Sequence, residues 1–399
     1  MCDAPHARFR DRLTLLSTDA LLTRAITELG SQRGWWADLA WSRMSGRFKP
    51  HAAAFGEFLF EHHGPPQSIC HVEAFDTRPA PADIDAPCAR TAAGWLRVTR
   101  FPSDAALPAL PSVLAAPGRA TVVRYHPRRR CTIRFEQDER TLFAKVYAVN
   151  RGERLHRAGL ALWEAARRGQ IELGVAEPER WEPHTRTLWQ HKLAGEPVRD
   201  RLSGPDGPLL AHRIGRAVAS LSRAQLQADD VEVLDGPAQM LRSRRHGTEL
   251  SRQVPRLAGP TTELLQRLAA LHAGSAPREP RPIHGAPHPN QWLEDGPRLG
   301  LLDFDRLSVG DPELDAGVFL GDLETDGSLK NSVTRMANSF FAGYESVAGS
   351  LHRGLVLAYR VHQQLTTSLR AARAVRPDGD WRAEKKLHRA IHCLKEGLS

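Results

Sequence analysis

Two short segments, residues 283–291 and 300–305, constrain the fold of this chain more than any other part of the sequence. The first reads Ile-His-Gly-Ala-Pro-His-Pro-Asn-Gln, and its two prolines exclude a helix. The second, Gly-Leu-Leu-Asp-Phe-Asp, has the length and apolar content of a buried strand. Because side chains alternate along a strand, we expect Asp303 and Asp305 to share one face. Two carboxylates on one buried face repel each other, and a cation such as Mg²⁺ would stabilise them.

His284 and His288 could also form half of a zinc site. Zinc-binding histidines at that spacing usually lie on one face of a helix, which Pro287 and Pro289 forbid. The five cysteines, at positions 2, 70, 88, 131 and 393, form no Cys-x-x-Cys pair that would complete such a site. We therefore do not favour a zinc site.

The two segments resemble the catalytic loop and metal strand of the aminoglycoside phosphotransferase family, a group of kinase-like small-molecule phosphotransferases. In that family the loop reads His-Gly-Asp-x-His-Pro-x-Asn, and the strand ends in Asp-x-Asp or Asp-x-Glu. The matching positions are His284, Gly285, His288, Pro289, Asp303, Asp305 and the later segment Gly310-Asp311-Pro312 with Asp315. The resemblance covers residues 115–395. It implies an α+β, protein-kinase-like bilobal fold with an antiparallel-sheet N-lobe and a mainly helical C-lobe.

The resemblance also implies roles for individual residues. Gln291 stands where the family has asparagine, and with Asp303 it would hold Mg²⁺, while Asp305 would assist in the metal shell. His284 belongs to the catalytic loop. The carboxylate that should accept the proton of the acceptor hydroxyl is absent, because Ala286 occupies its position. Both a deliberate inactivation and a natural pseudokinase are compatible with this exchange.

Residues 120–125, 131–135 and 141–147 are predicted to form three consecutive antiparallel strands, as in a kinase N-lobe. Lys145 lies in the third of them, in the sequence Phe-Ala-Lys-Val, where the resemblance implies a lysine that holds the phosphates of ATP. Glu164 follows 19 residues later in a predicted helix over 155–168. We expect it to form the ion pair that orients this lysine.

The loop between the first two of these strands carries arginines where kinases carry glycines. Arg128 and Arg130 could bind phosphate oxygens through their guanidinium groups, although a solvated basic turn is an equal alternative. A further strand, over residues 186–193, is placed like the hinge of the family. Its backbone at His191 and Leu193 would contact the adenine of ATP.

Composition and charge restrict the function further. The chain has 399 residues, and its 55 basic against 46 acidic side chains give a net charge of +9. No nucleic-acid-binding module and no membrane span is recognisable, and the scattered cysteines fit the cytoplasm. Aminoglycosides are polycations, so a basic protein is poorly suited to bind them. We therefore expect a neutral, anionic or peptide acceptor.

Three parts are expected along the chain. Residues 1–92 form an N-terminal extension of unassigned fold, in which Trp35, Trp36 and Trp41 are expected to be core or interface residues. Residues 93–193 form the N-lobe and include a strand at 95–99. Residues 194–399 form the C-lobe, with helices predicted over 210–226, 333–348, 351–375 and 381–398.

The sequence leaves three functional hypotheses open. The first is an ATP- and Mg²⁺-dependent phosphotransferase that acts on a hydroxyl group and is crippled by Ala286. The second is a peptide Ser/Thr kinase of natural-product biosynthesis, with a precursor peptide and a lyase as partners. The third is a non-catalytic pseudokinase that serves as a binding or scaffold module.

Overall fold

The computed structural model describes residues 4–16, 18–36, 39–49, 55–62, 68–82, 84–226, 231–276, 278–325 and 333–396. Two five-stranded antiparallel sheets follow each other along the chain, and a mainly helical part completes it. The predicted α+β class, with an antiparallel-sheet lobe followed by a helical lobe, is therefore confirmed.

The N-terminal region consists of two helices packed on the first sheet. Its elements are α1 (Ala4–Leu16), α2 (Asp19–Ser31), β1 (Trp41–Lys49), β2 (Phe55–His62), β3 (Ser68–Phe75), β4 (Cys88–Thr91) and β5 (Gly94–Arg100). The strand order is β1-β2-β3-β5-β4. Fully buried side chains of α2 and the central strands, such as Ile26, Phe58 and Leu96, form the core between the two layers.

The three tryptophans pack against this core. The ring of Trp36 contacts those of Trp35 and Trp41, with centroids 5.4 Å and 4.9 Å apart. The prediction that they are core or interface residues agrees with this packing, in which all three are half-buried.

The second sheet contains the three consecutive strands that the sequence predicts. Its elements are α3 (Leu110–Leu114), β6 (Arg119–His126), β7 (Arg130–Gln137), β8 (Arg140–Tyr147), α4 (Gly152–Arg167), β9 (Pro178–Glu182) and β10 (Thr187–His191). The strand order is β6-β7-β8-β10-β9. The strand predicted at 95–99 is β5, and it pairs with β3 and β4 of the first sheet instead of joining this one. The division at residue 92 stays a prediction, and this pairing favours a boundary after residue 100.

The C-terminal part is mainly helical and has two three-stranded sheets. The helices are α5 (Gly207–Leu221), α6 (Gly236–Gln253), α7 (Ala258–Ala273), α8 (Glu313–Thr325), α9 (Val333–Ala348), α10 (Arg353–Arg373) and α11 (Gly379–Glu396). The strands are β11 (Glu196–Pro197), β12 (Glu232–Leu234), β13 (Arg281–Ile283), β14 (Trp292–Asp295), β15 (Arg298–Leu301) and β16 (Ser308–Gly310). Among the described helices, none has the length and hydropathy needed to cross a membrane.

Helices α5 and α9 approach each other closely through two glycines. A Cβ atom at Gly343 of α9 would lie 2.0 Å from the carbonyl oxygen of His212, and one at Gly215 of α5 would lie 2.1 Å from that of Phe340. Both neighbours are backbone atoms, so a side chain at either position would force the helices apart.

We predict that Gly343→Ala lowers the free energy of unfolding by about 1–3 kcal/mol, the usual cost of overpacking. Urea denaturation followed by circular dichroism measures this. Gly204→Ala is the matched control, because its new Cβ would meet no atom closer than 3.4 Å. An equal loss in both variants would show that the close helix contact is not the cause.

Several histidines are buried in a neutral form. Burial is the main reason why the pKa of His71 is lowered to about 3 and the pKa values of His246 and His284 are lowered to about 4. Burial also holds the pKa of His362 well below its usual value. The unfolded chain therefore binds protons between about pH 4 and 6.5 that the folded chain does not bind. Asp315, whose pKa is raised to about 6 by burial, acts in the opposite direction.

We predict that the free energy of unfolding falls as the pH is lowered from 7.5 to 5. Histidines with lowered pKa values favour the unfolded state on acidification, and the eight among the described residues outnumber the three carboxyls with raised pKa values, Asp315, Asp322 and Glu324. Urea unfolding at the two pH values, at constant ionic strength, measures the difference. Equal or greater stability at pH 5 would contradict this interpretation.

Candidate active site

The loop after β13 is fixed by one buried carboxylate of α8. The two oxygens of Asp315 accept hydrogen bonds from the backbone N–H groups of His284 (2.7 Å) and Gly285 (2.8 Å). Gly285 has φ 77°, and a Cβ there would lie 2.5 Å from the carbonyl oxygen of Arg306. Glycine is therefore required at this position by both backbone conformation and space.

His284 connects the loop to the segment that carries Asp303. Its ring is fully buried, and Nε2 donates to the carbonyl oxygen of Leu302 at 3.0 Å. Nδ1 accepts from the N–H of Ala286 at 3.3 Å. Burial lowers the pKa of His284 to about 4, so the ring is neutral at pH 7. A side chain with no exposed surface does not touch a substrate, and His284 is a positioning residue.

Ala286 is half-buried in the middle of this loop, and its carbonyl oxygen accepts from the N–H of His288 at 2.8 Å. The same N–H donates to the side-chain oxygen of Gln291 at 3.2 Å, and Gln291 is only 6% exposed. The amide oxygen expected to bind a metal therefore also holds the loop backbone. The metal role of Gln291 stays a prediction.

The predicted strand over 300–305 is wrong beyond Leu301, where β15 ends. Asp303 adopts a left-handed conformation with φ 67°, and Asp305 lies in a 3₁₀ turn over 304–306. Aspartate is among the few residues other than glycine that adopt this conformation readily. This turn brings the two carboxylates together. The alternation of side chains along a strand, which the sequence analysis assumed, is not the cause.

That point is occupied by two cations of the second sheet. Lys145 Nζ lies 2.9 Å from an oxygen of Asp303 and 3.1 Å from an oxygen of Asp305. Arg130 hydrogen-bonds both carboxylates, and the Tyr147 hydroxyl donates to Asp305 at 2.8 Å. We call Arg130, Lys145, Asp303 and Asp305 the charge cluster.

The two carboxylates of the charge cluster differ in exposure. The side chain of Asp303 is 33% exposed and that of Asp305 only 7%. Burial opposes the ionisation of Asp303, but Lys145 and Arg130 outweigh it and hold the pKa of Asp303 well below its usual range. Burial likewise opposes the charge of Lys145, and the two carboxylates raise its pKa above the ordinary value. Asp303 and Lys145 are therefore both charged at pH 7.

Glu164 does not form the predicted ion pair with Lys145. It pairs with Arg168 at 2.8 Å on the surface of α4. The face of α4 towards the charge cluster presents Leu155 and Gly159 instead. Glu164 lies nine residues, or two and a half helical turns, after Leu155, and therefore on the opposite side of the helix. Asp305 takes the place of this glutamate as the partner of the lysine.

Arg128 and Arg130 separate, although they lie two residues apart. Arg128, with φ 61°, bonds Glu73 of the first sheet at 3.2 Å, and its N–H donates to Asp104 at 2.8 Å. It links the two sheets and does not point into the site. Of these two arginines, only Arg130 contacts Asp303 and Asp305.

A cleft next to the charge cluster has mainly apolar walls. It is lined by Leu155, Val175, Ala176, Leu188, Gln190 and Leu302 together with the charge cluster residues Lys145, Asp303 and Asp305. The backbone N–H of His191 donates to Glu177 (2.8 Å), and the side chain of Leu193 packs against Gly300. The N–H of His191 is therefore engaged within the protein, and the adenine contacts expected from the backbone of His191 and Leu193 stay predictions. Leu188 and Gln190 are the residues of β10 that line the cleft.

Two functional residues were missed or left without a role by the sequence analysis. Tyr147 bonds Asp305, and the period-two pattern of a strand, which places it on the same side as Lys145, could have indicated it. Asp315 stands out in the sequence only as part of the segment that begins with Gly310-Asp311-Pro312. Its role as acceptor for two loop N–H groups has no signal in the sequence.

Comparisons with known proteins agree with this geometry. The family model described as "Phosphotransferase enzyme family" matches residues 113–353. No curated protein matches the chain.

Solved structures of kinases are similar in fold. They include the amicoumacin kinase hAmiN in complex with AMP-PNP, Ca²⁺ and Ami (TM-score 0.52, 11% identity, 69% of this chain and 89% of that chain). They also include a putative aminoglycoside phosphotransferase from Ralstonia eutropha JMP134 (0.52, 14%, 72% and 98%) and a thermostable mutant of aminoglycoside phosphotransferase APH(4)-Ia in the apo form (0.51, 14%, 71% and 98%). At these identities the likeness establishes the kinase-like fold.

We predict that Asp305→Asn lowers the free energy of unfolding by about 3–5 kcal/mol, the usual cost of removing one member of a buried ion pair. Glu164→Gln removes an exposed helix pair and should change it by less than about 0.5 kcal/mol. Urea denaturation of both variants at pH 7.5 makes the comparison. A larger loss for Glu164→Gln would mean that the helix glutamate is the true anchor of Lys145.

Proposed function

The chain belongs to the phosphotransferase enzyme family, and we propose that it binds ATP with a divalent cation and acts on the hydroxyl group of an acceptor. The observation that carries this proposal is the charge cluster, which joins a lysine and an arginine of the sheet to two aspartates beside the loop of Ala286. Phosphoryl transfer requires cations for the phosphates and a carboxylate for the metal at one place.

The donor groups present fit magnesium bound together with nucleotide phosphates. Asp303 is one-third exposed and lines the cleft, so it can be a metal ligand. Asp305 is nearly buried, and both of its oxygens accept hydrogen bonds, which fits a group that holds Lys145. No cluster of three or more His, Cys, Asp or Glu that could hold a metal occurs among the described residues. This fits Mg²⁺, which proteins usually bind through one or two carboxylates plus phosphate oxygens.

The chemical step should be slow in this chain. The acceptor hydroxyl must lose its proton, and a positioned carboxylate contributes about 10²–10⁴-fold to such a step. Position 286 carries a methyl group, while the loop around it keeps its hydrogen bonds. We therefore propose a protein that binds nucleotide and transfers phosphate poorly.

The acceptor proposed first is a small molecule that is neutral or anionic, since the net charge of +9 disfavours a polycation. A Ser/Thr peptide, with a lyase as partner, is the second candidate. A cavity of about 430 Å³ in the N-terminal region, lined partly by Pro79 and Pro81, favours it, since a peptide partner needs a second contact surface. Among the described cysteines, Cys70, Cys88 and Cys131 are unpaired, which fits the proposal that the protein works in the reducing cytoplasm.

We predict that the chain binds ATP and that Mg²⁺ tightens this binding. Isothermal titration calorimetry with and without Mg²⁺ measures the gain. Asp303→Asn should abolish the gain, because it removes the exposed carboxylate of the cleft, whereas Asp11→Asn on the surface of α1 should not. The proposal fails if ATP does not bind at millimolar concentration, and the metal assignment fails if Asp303→Asn keeps the full effect of Mg²⁺.

We predict that Ala286→Asp raises the rate of phosphate transfer by at least about 10²-fold, the lower part of the range for a general base. Ala286→Asn is the matched control, since it has the same shape and cannot accept the proton. ADP release is followed with glycerol, glycerate, kanamycin and a Ser-containing peptide as acceptors. Equal rates of the Asp and Asn variants with an acceptor that supports turnover would show that 286 is not the base position.

A further inference from the structure

Three arginines lie on the helical side of the loop and have no hydrogen-bonding or ion-pair partner among the residues that the structure describes. Arg242 belongs to α6, Arg306 to the 3₁₀ turn that follows Asp305, and Arg370 to α10. Within the described part of the chain, their side chains make no hydrogen bond or ion pair. We call these three residues the arginine triad. Guanidinium groups near each other and without a counter-charge are costly, and an anion among them would relieve the cost.

The fold holds the triad in place. Helices α6 and α10 are joined by a hydrogen bond between Ser243 and His362 (2.6 Å) and by one between His246 and Thr366 (3.2 Å). Further along, Arg373 pairs with Glu249. Unlike the triad, this arginine of the same helix pair has its own carboxylate.

The triad is near the catalytic loop. The backbone of Arg306 lies against Gly285, whose Cβ position is 2.5 Å from the Arg306 carbonyl oxygen. Burial, followed by the charges of Arg242 and Arg370, lowers the pKa of Arg306 to about 9. The charge of Arg370 also acts on His288, whose pKa is lowered mainly by burial. The charges of the triad therefore act on one another, and Arg306 and Arg370 lie near the loop around position 286.

The surroundings add positive charge and little negative charge. Lys386 of α11 is close enough for its pKa to be lowered by burial and by neighbours that include Arg370. The carboxylates that act on Arg306, His288 and Lys386 are otherwise engaged, and one of them, Asp303, belongs to the charge cluster. Asp322 accepts a hydrogen bond from Gln363 at 2.8 Å, and Asp315 holds the loop. The phosphate-binding cations Lys145 and Arg130 belong to the second sheet and not to this helical side.

We propose that the arginine triad is the acceptor subsite, and that the acceptor is a hydroxyl compound carrying a carboxylate or phosphate group. This rests on the proposed phosphotransferase function. In the reaction, the acceptor oxygen bonds to the γ-phosphorus, and the bond from that phosphorus to the β,γ-bridging oxygen breaks. ADP leaves with the electron pair, and the hydroxyl proton passes to a carboxylate at position 286 where one is present, or to water. The triad binds the anionic group and takes no part in the chemistry.

The test measures binding with the nucleotide site already filled. Calorimetric titrations of glycerol, glycerate, glycerol 3-phosphate and kanamycin are performed with saturating ADP and Mg²⁺. We expect one or both of the two anions to bind and glycerol and kanamycin not to bind. Their relative affinity identifies the anionic group as carboxylate or phosphate.

Variants locate the site. Arg242→Gln and Arg370→Gln should each weaken binding of the anion by about tenfold or more, as expected for loss of a charge-assisted hydrogen bond. Arg245→Gln, an exposed position of the same helix, removes the same charge and should change it less than about twofold. ADP affinity should stay unchanged in all three, and circular dichroism verifies folding. Arg370 is exposed, so its variant is expected to fold even if that of Arg242 does not.

Three results would overturn the inference. They are no binding of either anion at tens of millimolar, equal losses in the control and triad variants, and a loss of ADP affinity in the triad variants. The last would assign the triad to the nucleotide. Failure of ADP itself to bind would instead contradict the proposed phosphotransferase function.

Discussion

The charge cluster of Arg130, Lys145, Asp303 and Asp305 is the interaction on which the two lobes depend. It joins β7 and β8 of the second sheet to the turn that follows β15 of the helical part. Two positive and two negative groups balance there, and such a cluster is stable only while every member keeps its partners. Asp305 is committed to the protein on both oxygens, whereas Asp303 keeps an exposed side. Asp305 thus stabilises the contact between the lobes, and Asp303 remains accessible to a ligand.

The loop around position 286 is held independently of the side chain at that position. Asp315 binds two of its N–H groups, and the His284 ring bonds both the loop and Leu302. The loop therefore keeps its shape with alanine in place of the expected aspartate. This explains how a chain with alanine at position 286 can still place Asp303 beside the cleft.

Much of the fold could be predicted from the sequence because its signals are local. Alternating apolar residues identified β6, β7 and β8, and helical periodicity identified α4, α9, α10 and α11. Pairing partners are not local: the alternation at 95–99 indicates a strand but not the sheet to which it belongs. The left-handed conformation of Asp303 and the orientation of Glu164 were missed for a related reason. A single positive φ is compatible with many sequences, and a spacing of 19 residues does not determine on which face of a helix a glutamate lies.

The central claim, that the charge cluster and the adjacent loop form a nucleotide-phosphate site, is tested most directly by hydrogen–deuterium exchange with and without ATP and Mg²⁺. We predict that the nucleotide slows exchange in residues 284–291 and 301–306 and leaves the first sheet, residues 41–100, unchanged. Asp303→Asn, measured in parallel, should lose the part of this protection that depends on Mg²⁺. No protection in the two segments, or protection confined to the first sheet, would contradict the claim.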